Sequence, residues 1–164
     1  MTDSRCREYA ELELRHIQLE LEHHRYHHLR HFVDPYYCYR HGIVKRTGRA
    51  NFEGVMWQGI VSLAARRETD RRAVVKEHVV PLRVIETKLS ELVAAGTTTL
   101  DDISRVLEEL THFGTITKAE DALLRQAGLG SSMPVEFWQE GHQYCGDILA
   151  RYKYVGIELE AFVR

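Results

Sequence analysis

The first 34 residues contain neither glycine nor proline, the two residues that most readily end a helix. The spacing predicts one long helix from Ser4 to Phe32, capped by Asp3 or Ser4 and stopped by Asp34-Pro35. Ala10, Leu14, Ile17 and Leu21 form one apolar seam. Leu12, Leu19, Tyr26 and Val33 repeat every seven residues and form a second. Two seams imply two neighbours. One is the body of the domain. The other is either more of the same domain or the same helix of a second copy, which would make a homodimer.

A chain of 164 residues fits a single domain. Its apolar fraction of 44% and charged fraction of 28% are those of an ordinary globular protein. Net charge is −2, so nucleic-acid binding would need a local basic patch. No apolar run reaches the roughly 18 residues of a membrane helix, and no secretory leader follows Met1-Thr2-Asp3. Cys6, Cys38 and Cys145 form no CxxC pair and read as free thiols. A cytoplasmic protein with no membrane partner is expected.

Beyond residue 34, Val55 to Arg67 reads as a helix and Ala73 to His78 as a strand. Pro81 opens a helix that Gly96 ends, and Thr97-Thr98-Thr99 caps the next, with Ile103 and Leu107 on its inner face. Phe113 to Ile116 is extended. Thr117-Lys118-Ala119-Glu120 fits a capping box for a helix ending near Gly128. Two helical pieces are expected at Val135–Cys145 and Asp147–Tyr154, then a strand or tail from Val155 to Val163. The fold class is α+β, predominantly α-helical, with a long N-terminal helix and a small β-element.

The run Ala73 to Leu82 sets a carboxylate and an imidazole side by side, Glu77-His78, among valines. Such a pair is costly to bury without a metal, a partner or water. Glu77-His78-Val79-Val80-Pro81-Leu82 resembles the first motif of the HNH (ββα-metal) endonucleases, Asp-His-Ile-x-Pro-Leu. Ile116-Thr117-Lys118-Ala119-Glu120-Asp121 is similar to the entry of that family's metal-site helix. The resemblance spans residues 73–127. It implies a DNA endonuclease with one divalent cation, Mg²⁺ or Mn²⁺, on the scissile phosphate. His78 would be the general base, Glu77 an acidic ligand, and Asp121, with Glu120 as the alternate, a ligand from the helix. The family's aspartate is here Glu77, one carbon longer, and its helix usually supplies Asn or His, neither of which occurs between Thr117 and Gly128. Three readings stay open: an active nuclease, a relative that keeps the fold without cutting, or a coincidental match in which Glu77 and His78 are structural, one facing solvent and one in a hydrogen-bonded core position. Phage or mobile-element defence, or counter-defence, would suit a small free-standing protein of this type.

Tyr36, Tyr37, Tyr39, Arg40, Lys45, Arg46 and Arg49, with Arg71 and Arg72 later, mix aromatic and basic residues. Tyrosine can stack on bases and arginine can pair with phosphates, so this set is the candidate surface for DNA or for a partner protein. The histidines His23, His24, His27, His28 and His31 recur at four-residue intervals, which on one helix would pair them on a face suited to Zn²⁺ or to a pH-dependent positive charge. Glu13/His16, Glu20/His23 and Glu109/His112 have the Glu-x-x-His spacing that di-iron bundles use. No P-loop, G-x-S-x-G, dinucleotide-binding glycine pattern or HExxH is present. The alternative to a nuclease is a non-enzymatic inhibitor or adaptor that binds a partner protein and dimerises through its first helix.

Overall fold

A computed structural model of the chain describes residues 2–159. In chain order its elements are α1 (Thr2–Glu22), α2 (Arg30–Arg40), β1 (Ile60–Val61), α3 (Leu63–Arg67), β2 (Val74–His78), α4 (Leu82–Ala95), α5 (Leu100–Leu110), β3 (Phe113–Thr117), α6 (Lys118–Gln126) and α7 (Ala150–Val155), joined by turns and short 3-10 segments. The chain is α+β and predominantly helical, with one small sheet. No described helix is long and apolar enough to cross a membrane. Contacts among the described residues gather into two units: residues 2–55 with 85–111, and residues 56–84 with 112–159.

In the first unit the long helix stops ten residues early. α1 ends at Glu22, His24 adopts a left-handed φ of 54°, and a 3-10 turn at Tyr26–His28 leads into α2. Residues 23–28 are His-His-Arg-Tyr-His-His, middling helix formers that give up the helix at little cost. Folding back lets Ile17 and Leu21 of α1 share a core with Leu29 and Val33, all four at 0% exposure. Each such side chain contributes roughly 1.5–3 kcal/mol by leaving water, which outweighs the lost helical bonds. Pro35 is therefore no stop. It lies inside α2, where it removes one amide bond and crowds the carbonyl one turn back. The seven-residue seam is broken as well: Val33 is buried across the turn, while Leu12 and Leu19 stay exposed on α1.

α1 packs on α2 and α5. Gln18 donates to the Thr98 carbonyl at 2.7 Å, and the Tyr36 hydroxyl reaches Ser104 at 3.1 Å and Glu108 at 3.0 Å. Thr99 caps α5, accepting from the Asp102 amide at 3.2 Å, and Ile103 and Leu107 are buried as expected.

In the second unit β3 is the central strand, with β1 parallel on one side and β2 antiparallel on the other. Every residue of β3 is buried. The helix expected over residues 55–67 is instead a turn, a two-residue strand and a short helix. Trp57 (φ 66°) and Gly59 (φ 80°) turn the chain, Ile60 and Val61 pair with Gly114 and Thr115, and Ser62 caps α3. Alternation along the strands sorts the side chains. Val75 and Ile116 face a core with Val79, Leu124, Leu129, Tyr152 and Ile157. Val74 faces a second core with Met56, Val61 and Ala65. Of the helix expected at Val135–Cys145 only a 3-10 turn at Val135–Trp138 forms. Leu159 makes a single bridge to Ser62, and the remainder of the expected tail lies outside the described residues.

Candidate functional site

The antiparallel pair β2–β3 runs directly into α6 through the expected capping box. Thr117 Oγ1 accepts from the Glu120 amide at 3.2 Å, and the Glu120 carboxylate accepts from the Thr117 amide at 2.7 Å. β2, β3 and α6 follow in chain order, with α4 and α5 inserted between the two strands.

Glu77 lies opposite Gly114 and His78 opposite Phe113. Being consecutive on a strand, their side chains leave opposite faces of the sheet. Glu77 shares the face of Val75, where Arg151 and Tyr152 of α7 meet it. The Tyr152 hydroxyl donates to Oε1 of Glu77, and the Arg151 guanidinium donates to Oε2 at 3.3 Å. Arg151 also donates to the carbonyls of His78 at 2.6 Å, Val79 at 3.0 Å and Leu129 at 2.7 Å. Its side chain is 1% exposed. A buried guanidinium needs this full set of acceptors, because an unpaired charge there would be prohibitive.

The electrostatics follow from this burial. Desolvation pushes the Glu77 carboxyl above the usual range, and Arg151 and Tyr152 offset only part of that; the negative Asp121 pushes it further the same way. Burial and the Glu77 charge hold the Tyr152 phenol well above its ordinary value, so it keeps its proton and donates. Gly114 makes room for the contact: a Cβ there would sit 2.8 Å from the Tyr152 hydroxyl. Only glycine lets a strand and a buried phenol approach so closely.

The other expected ligands have partners of their own. Glu120 is held in the cap and accepts from Ser62 Oγ at 2.7 Å. Asp121 pairs with Arg125 at 2.5 Å. The His78 ring packs on Phe113 with centroids 4.4 Å apart, on the face away from Glu77. Among the described residues no group of three or more His, Cys, Asp or Glu side chains is placed to hold a metal ion. Mg²⁺ and Mn²⁺ take several oxygens converging on one point, and here Glu77, Glu120 and Asp121 are each bonded within the protein. Glu77 and Asp121 are close enough to sense each other's charge, but both carboxylates of this pair are bonded to cationic side chains and His78 faces elsewhere.

The basic and aromatic set divides between the units. Tyr36 is buried on Ser104 and Glu108, Tyr37 stacks on His41 at 4.3 Å, Tyr39 meets Tyr9 edge-on, and Arg40 pairs with Glu108 at 2.6 Å. Lys45, Arg46 and Arg49 are exposed on a tight turn of the first unit. Arg71 and Arg72 belong to the second, where Arg72 clamps Asp70 at 3.1 Å. The helix break separates the histidines: His23/His27 and His24/His28 no longer share a helical face, and His27 and His28 stack in the turn at 4.1 Å. Glu13 bonds His16 at 3.1 Å, and Glu20 pairs with Arg25 at 3.2 Å. Nothing near Arg151 or Tyr152 in the sequence marks them as the partners of Glu77. Gly114 within a strand was the one local signal of a close approach. The chain matches no family model, no curated protein and no solved structure.

Proposed function

We propose that this chain is a DNA-binding relative of the HNH endonucleases that keeps the ββα frame and does not cut. The β2–β3–α6 order and the capping box at Thr117–Glu120 support the relationship. The observation that carries the loss of cutting is the bonding of both Glu77 oxygens, one by Tyr152 and one by Arg151. The position that would supply a ligand holds the sheet to α7 instead. A DNA-binding protein without cleavage suits a role in phage or mobile-element defence or counter-defence.

Supercoiled plasmid incubated with the protein and Mg²⁺ or Mn²⁺ tests this. The expected result is retarded migration with no nicking, identical for His78→Ala. Metal-dependent nicking that His78→Ala abolishes would overturn the proposal.

One observation favours a second reading, a protein-binding adaptor that dimerises through α1. Leu12 and Leu19, seven residues apart, are 46% and 52% exposed on that helix.

A further inference from the structure

Arg5, Lys45 and Arg46 of the first unit line one open groove. The first turns of α1 form one wall, through Arg5, Cys6 and Arg7. The other wall is the turn of residues 42–48. Two open cavities of about 520 and 530 Å³ adjoin there, sharing Cys6 and Val44 in their linings. Arg5, Lys45 and Arg46 line one half, and Arg7, Arg40 and His41 the other. Among the described residues no lining residue is acidic, and residues 35–52 contain no Asp or Glu.

The turn is held in place from within. Lys45 donates its amide to the Arg49 carbonyl at 2.8 Å, Gly48 to that of Lys45 at 2.8 Å, and Asn51 to that of Ile43 at 2.9 Å. The Ala50 amide donates to the Tyr39 hydroxyl at 3.3 Å, which ties the turn to α2. Among the described residues Arg5, Lys45 and Arg46 are exposed and make no ion pair, in contrast to Arg40, which Glu108 occupies.

We infer that this groove binds the phosphodiester backbone of DNA, with Arg5, Lys45 and Arg46 as its phosphate contacts. The inference rests on the proposed DNA-binding function and places it outside the ββα segment. A row of cations along an open groove matches a polymer with one negative charge per repeat. An acidic protein partner would also need a cluster of apolar anchors at the centre of its interface, and among the described lining residues the groove offers only Val44 and Tyr39 as large apolar or aromatic side chains. Binding is therefore independent of base sequence and steeply dependent on salt.

Fluorescence anisotropy of a labelled duplex of about 20 base pairs, titrated with the full chain, provides the test. About three phosphate contacts give a slope of log K against log salt near −2.7, a weakening of roughly 40-fold between 50 and 200 mM. The variant R5A/K45A/R46A changes only exposed side chains. It is expected to lose at least about tenfold in affinity at about 100 mM salt and most of the slope. R71A/R72A, in the second unit, is expected to bind like the wild type. Duplex binding that survives R5A/K45A/R46A, or that R71A/R72A weakens as much, overturns the groove and leaves the DNA-binding proposal standing. A wild type that binds no duplex overturns both. Tighter binding of single-stranded RNA through the same three cations overturns the assignment to DNA.

Discussion

Arg151 and Arg46 carry the same guanidinium and meet opposite fates. Arg151 is 1% exposed, donates to three carbonyls and pairs with Glu77. Arg46 is exposed on a turn and, among the described residues, makes no ion pair. Burial forces a charge to find partners in its own chain, because its desolvation must be offset there. Exposure imposes no such demand and leaves the charge for something else to neutralise. Arg151 thus serves as architecture in the second unit, and Arg46 points outward from the first. The pair that drew attention in the sequence, Glu77-His78, falls on the architectural side.

Removing the buried arginine should produce the largest effect. Arg151→Ala strands the Glu77 carboxylate and three carbonyls, and is expected to cost about 3–5 kcal/mol, read by urea unfolding of the full chain. A variant as stable as the wild type would break the contrast between the two arginines. Gly114→Ala comes next. Its methyl would lie 2.8 Å from the Tyr152 hydroxyl, itself fully buried. Overpacking of this kind costs about 1–3 kcal/mol, seen as a lowered Tm.

A pH dependence sharpens the same point. Burial raises the Glu77 carboxyl in the folded chain above its unfolded value. Its contribution to stability is full below the ordinary glutamate range and is lost as pH rises through the raised value. Glu77→Gln should remove that decline from the profile of unfolding free energy against pH; an unchanged profile would assign the decline elsewhere. The smallest effect belongs to the exposed face of α1. L12E/L19E should shift stability by no more than about 0.5 kcal/mol and leave the sedimenting mass unchanged. A halved mass would establish α1 as the seam of a dimer.

What could be read from the sequence was local. β2, α4, α5, β3 and α6 fall where hydrophobic spacing, Gly96, Thr99 and the Thr117–Glu120 box put them, since each signal acts within a few residues. What escaped was decided at a distance. β1 is two residues long and is a strand only because β3 lies alongside it. α1 ends at Glu22 because Leu29 and Val33 gain more by joining Ile17 and Leu21 than by extending the helix. Glu77 could be recognised as an expensive residue, but the groups that satisfy it, Arg151 and Tyr152, lie more than 70 residues further on. A motif shows that a carboxylate is placed with purpose; only its partners show which purpose.

The most direct test of Glu77 as an internal partner is calorimetric titration of Mn²⁺ into the full-length protein. If Arg151 and Tyr152 hold the carboxylate, wild type and Glu77→Gln give the same heats, with no saturable site that depends on Glu77. A one-to-one site in the wild type that Glu77→Gln and Asp121→Asn each abolish would contradict the account and restore a metal centre to the ββα frame.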